Sequence, residues 1–154
     1  MDHVIHNPFE ELYQQAKSAI LRKLLSGLMF VLTLETSLRN AIADAIDTEV
    51  NTGAGTATLV FETSGDAEVA TINLQNPAFG AAAAGVITLQ GTPLTDASAA
   101  GGTTVQFSIY NRNSAKQLEG SVATSGADIN ITSTVIAATE TVELTAFTIT
   151  VPAT

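Results

Sequence analysis

The sequence predicts an α+β protein that is mainly β: N-terminal helices followed by an antiparallel body of about seven strands, of β-sandwich or jelly-roll type. Two observations predict it. The spacing of apolar residues changes from about four to about two once the chain passes Gly53 and Gly55. Beyond that point, runs rich in Thr, Val, Ile and Phe recur at short intervals between Gly, Asn, Ser and Asp. A chain of 154 residues is most simply one domain, large enough to bury a core. It contains no cysteine, which excludes disulfides, thiolate metal sites and a cysteine nucleophile.

Taken in order, Asn7-Pro8 starts a first helix, with Asn as cap, Pro at the first helical position and Glu10 three residues on. Leu12, Ala16, Ile20, Leu24 and Leu28 then form an i, i+4 stripe. Such a helix either packs on its own body or serves as an arm docking on a neighbouring subunit. In the second case Leu12, Ile20, Leu24 and Leu28 are the contact residues. We therefore divide the chain into an N-terminal amphipathic helical arm, 1–32, and a domain, 33–154, of a short helix plus the β body. Met29 opens a self-sufficient stretch, MFVLTLETSLRN, so residues 1–28 read as an extension or as a misassigned start.

The second helix is expected over Leu34–Val50, with Thr33 as its cap and Asn51-Thr52-Gly53 as its stop. Leu34, Leu38, Ile42, Ala45 and Ile46 share one of its faces. Thr56–Thr63 and the run through Ala70, Ile72 and Leu74 then alternate around the Ser64-Gly65-Asp66 turn and predict a hairpin. Asn76–Gly80 breaks the pattern, Val86–Gln90 is a short strand, and Gly91–Gly102 reads as a long loop. Thr103–Tyr110 places Val105, Phe107 and Ile109 inward and Gln106, Ser108 and Tyr110 outward. After the Asn111–Ser114 turn, Gln117–Ala123 is a strand crossing Gly120, and Thr124–Asp128 turns again. Ile129, Ile131, Ser133 and Val135 alternate as one strand. In Glu140–Val151 the facing switches near Thr145-Ala146, which predicts a β-bulge.

Charge narrows the function. Residues 1–40 are balanced, whereas 41–154 carry Arg112 and Lys116 against eleven acids, so the whole formal charge of −9 lies there. Such a body repels phosphate backbones, and no nucleic-acid partner is expected. Ile20–Leu34 imitates a signal peptide, but three acids precede Arg22 and no A-x-A-like site follows directly. The apolar run is too short to span a bilayer, and no membrane partner is expected. Gly27 before an apolar run with Glu35 raises a pilin-like reading, which the polar Thr36, Ser37, Arg39 and Asn40 oppose.

The candidate chemistry is sparse. His3 and His6 are the only histidines, which leaves no Ser-His-Asp arrangement and no third metal ligand. Asp44, Asp47 and Glu49, and Glu62, Asp66 and Glu68, read as solvated faces, since paired carboxylates at a sugar site want aromatic platforms. Asp66 or Asp128 with loop carbonyls has no D-x-D-x-D-G calcium pattern around it. Gly53-x-Gly55 follows a helix instead of a strand and is a helix stop, not a nucleotide fingerprint. Tyr110, Arg112 and Asn113 form the most interaction-like exposed cluster, on a hairpin tip. No catalytic residue and no cofactor is expected.

Four segments, Leu38–Asp47 (LRNAIADAID), Asn76–Gly80 (NPAFG), Val122–Asp128 (VATSGAD) and Thr148–Pro152 (TITVP), taken in this order and spacing, resemble small virion proteins of tailed bacteriophages. In those, a helix of LRNA-x-ADA type precedes a β-sandwich that ends in a TIT-x-P-like strand. The resemblance covers about residues 33–152 and leaves out the leading helix. It implies a non-enzymatic structural subunit, a capsid decoration or cement protein or another head- or tail-associated component. It further implies other virion proteins and copies of itself as partners, and a place in the virion after assembly in the host cytoplasm. The sandwich pattern alone also fits a surface adhesin or carbohydrate-binding module, with Tyr110 as its aromatic platform. Bacterial pilus-like or surface-layer assembly is the third reading.

Overall fold

The computed structural model describes Lys17 and residues 33–154, and Leu34–Ala153 forms one compact unit. The first expected helix, with Leu12, Ile20, Leu24 and Leu28, lies outside the described residues, as do His3 and His6. The helix after it, α1, spans Thr36–Val50. It starts later than its apolar pattern suggests. Glu35 is the flanking residue, in extended conformation with no side-chain cap, and Thr33 lies too far back to cap anything. The reason is tertiary: the Leu34 amide donates to Ala153 O (2.8 Å), so the chain stays extended until that bond is made. At the other end the Asn51 amide donates to Asp47 O, and Gly53 takes a positive φ of 122°. The expected stop at Asn51–Gly53 is where the helix ends.

The described residues form a β-rich α+β fold with eleven short strands instead of about seven. The main sheet contains β1 (Thr58–Glu62), β2 (Glu68–Asn73), β6 (Gln106–Tyr110), β7 (Lys116–Ala123) and β8 (Ile129–Asn130). Its spatial order is β2-β1-β6-β7-β8; all neighbours are antiparallel except β7 and β8. Three two-stranded ladders complete the body. In them β3 (Val86–Thr88) pairs β11 (Thr148–Thr150), β4 (Leu94–Asp96) pairs β10 (Val142–Leu144), and β5 (Gly102–Thr103) pairs β9 (Val135–Ile136).

The core lies on one face of the main sheet. Leu59 and Phe61 of β1 stand opposite Ile109 and Phe107 of β6, with Ala70 and Ile72 beside them on β2, and all are buried. Leu59, Phe61, Ile72, Phe107 and Ile109 are buried as their alternation predicts, but Glu62, Val69 and Ser108 between them are buried too. Phe147, between β10 and β11, lays its ring 5.4 Å from Phe107 edge-on and 6.3 Å from Phe79. Gly120 of β7 makes room for this: a Cβ there would sit 2.5 Å from the Phe107 ring. The free edge of β2 is also occupied. Thr71 N–H donates to the Asp96 carboxylate (2.9 Å), and Val69 O accepts from Gly101 (3.0 Å), which blunts the edge against stray pairing.

Several strand expectations need correction. The loop Gly91–Gly102 contains β4 and the start of β5. Val105 does not point inward with Phe107 and Ile109; it is exposed, because β5 and β6 are separate strands and the chain turns between them. The alternation from Ile129 to Val135 is not one strand: β8 and β9 pair different partners, and Ile136 is buried where Val135 is 65% exposed. The switch of facing near Thr145-Ala146 exists, but it is a strand break. On one side β10 pairs β4, and on the other β11 pairs β3.

Candidate functional site

Two polar assemblies and one apolar groove stand out among the described residues. The first assembly joins α1 to the segment 78–85. The side chains of Asn40, Asp44, Asp47 and Asn51 recur every three or four residues and lie along one helical stripe. Each accepts a backbone amide: Gly85 N–H to Asn40 (2.7 Å), Ala82 to Asp44 (2.8 Å), Phe79 to Asp47 (2.9 Å) and Ala78 to Asn51 (3.0 Å). Asn51 also donates to Asp47 Oδ1 (2.7 Å). Arg39 continues the stripe, donating through Nε to Val151 O (2.8 Å) and through its other guanidinium nitrogen to Ala84 O. Asp44 is exposed, as expected of a solvated face, and Asp47 is half-buried, but each is also a hydrogen-bond acceptor within the fold. They hold an irregular segment, accepting the amides of Phe79 and Ala82, while Gly80 and Ala83 donate to Thr88 O and Val86 O.

The second assembly surrounds Glu62, at the end of β1. Expected on a solvated face, it is 2% exposed. Its carboxylate accepts from Ser108 Oγ (2.7 Å) and Tyr110 Oη (2.8 Å), with Lys116 Nζ 3.9 Å away. Register explains this: Thr58, Val60 and Glu62 face the same side as Tyr110, Ser108 and Gln106, opposite the apolar core. Ser108, expected outward, is fully buried there. The hydrogen bond to Glu62, then burial, then the charge of Glu62 raise the Tyr110 phenol above its ordinary value. Lys116 also donates to Glu119 (3.0 Å), which raises its ammonium first of all. This is a carboxylate held by two hydroxyls and one nearby cation, with every oxygen used inside the sheet.

The cluster Tyr110–Arg112–Asn113 is not a free hairpin tip. Arg112 O accepts from Gly55 N–H (2.9 Å), and a Cβ on Gly53 would sit 2.4 Å from Asn113 Oδ1 and 2.6 Å from Arg112 C. Gly53 and Gly55 therefore do more than stop the helix: they let the 111–114 turn pack against them. Arg112 is half-buried, and its Nε has no hydrogen-bond partner among the described residues. Asp66 accepts from Gln106, and Asp128 from Ser121 N–H (2.8 Å) and Oγ (2.7 Å), which holds its carboxyl below the usual range. Glu49 and Glu68 are exposed. Among the described residues, no three His, Asp or Glu side chains converge, and no helix is long and apolar enough to cross a membrane.

The groove lies on the other side of α1. Of the apolar stripe that the sequence singles out, Leu38, Ile42 and Ala45 are exposed, whereas Leu34 and Ile46 are half-buried and pack against the core; Ala43 and Val50 are the helix residues that are fully buried. Ile42, Ala45 and Ile46, with Glu49, Gln117 and Leu118, border an open apolar cavity of about 380 Å³. Sequence periodicity finds this stripe but does not say what surrounds it. The Glu62 assembly is missed, since nothing near Glu62 in sequence marks its partners on β6.

No protein-family model matches the chain, and no curated protein and no solved structure matches it.

Proposed function

We propose that this chain is a non-enzymatic structural subunit of a tailed-bacteriophage virion, a capsid decoration or cement protein or another head- or tail-associated component. One observation carries the reading. Five polar residues of the resembling segments, Arg39, Asn40, Asp44, Asp47 and Asp128, direct hydrogen bonds at the body's own backbone and side chains. Asn40, Asp44 and Asp47 of LRNAIADAID bind the segment that begins with NPAFG, and Arg39 binds Val151 of TITVP. Asp128 of VATSGAD binds Ser121. These bonds make the shared motifs part of the framework of the body. A subunit that works through extended surfaces and symmetry needs such a framework and no reactive pocket.

On this reading the main sheet and the ladders β3–β11 and β4–β10 are the two layers of a sandwich or jelly roll, joined by Phe79, Phe107 and Phe147. An adhesin or carbohydrate-binding module would use Tyr110 as a platform. Its half-burial and its hydrogen bond to Glu62 favour the structural reading. The test is protein mass spectrometry and antibody-gold labelling of purified particles of a phage that encodes this chain. We expect the chain in the particle in many copies. A chain found only in the soluble lysate overturns the proposal.

A further inference from the structure

We draw no further inference here: the strongest candidate, the open apolar groove that Ile42, Ala45 and Ile46 of α1 form with Leu118 of β7, carries nothing because nothing in the structure shows what covers it.

Discussion

Glu62 is the residue on which the polar face of the main sheet depends. A carboxylate without solvent is costly unless its oxygens are hydrogen-bonded, and here Ser108, Tyr110 and, farther off, Lys116 supply the partners. Glu62→Ala leaves the fully buried Ser108 hydroxyl unpartnered, and we expect a loss of about 2–4 kcal/mol in urea unfolding of the full chain. The same site sets an alkaline limit. Because Tyr110 is raised above 10.0 in the folded chain, its contribution to stability is fully present below 10.0 and is lost as pH rises through its folded value. Tyr13 is the one other tyrosine, so the titration separates simply. Tyrosinate absorbance should show a group titrating above the ordinary phenol range that vanishes in Tyr110→Phe and moves down in Glu62→Gln. An unshifted Tyr110 would mean that the hydroxyl does not hold the carboxylate in solution.

At the scale of elements, α1 partly inverts the usual amphipathic arrangement. Leu38 and Ile42 of its apolar stripe face out while Ile46 packs on the core, and its inner face docks through Ala43, Val50 and polar residues that capture backbone amides. Asp47→Ala should therefore cost about 1–2 kcal/mol, since it strands the Phe79 amide and releases Asn51. Ile42→Ser should stay within about 0.5 kcal/mol at concentrations where the chain is monomeric. Equilibrium unfolding of the two variants side by side checks the ranking, and a larger loss for Ile42→Ser would place the apolar stripe in the core. This inversion marks what the sequence could and could not reveal. The hairpin β1–β2 and the core positions Leu59, Phe61, Ala70, Ile72, Phe107 and Ile109 were legible, because period-two alternation is a local property of the chain. The helix was legible too, and so was its apolar stripe. Its orientation was not, since the amides it binds lie 27 to 45 residues away. The partners of Glu62 are farther still, at 46 and 48 residues, and only the sheet register brings them together.

Across the whole body, the two ends of the described chain are fastened to each other. Leu34 N–H donates to Ala153 O (2.8 Å), Arg39 Nε to Val151 O (2.8 Å), and Val151 N–H to Gly85 O (2.8 Å). Gly85 in turn is held by Asn40, so the start of α1, the segment 78–85 and the last strand form one connected unit. Val151 adds a buried side chain to it. Few long-range contacts of this kind form early in folding, because closing the ends of a chain is entropically unfavourable until the rest is in place. The C-terminal residues should thus stabilise the finished body more than they speed its formation. Ending the chain at Thr150 removes the Val151 side chain, the acceptor for Arg39 and the partner of Leu34 together. We expect a loss of about 3–5 kcal/mol from one buried valine and three hydrogen bonds. In stopped-flow unfolding and refolding of chains 1–154 and 1–150, the shorter chain should unfold faster and refold at nearly the same rate. Refolding slowed as much as unfolding is accelerated would place the clasp in the folding nucleus, and an unchanged midpoint would show that the ends do not hold each other.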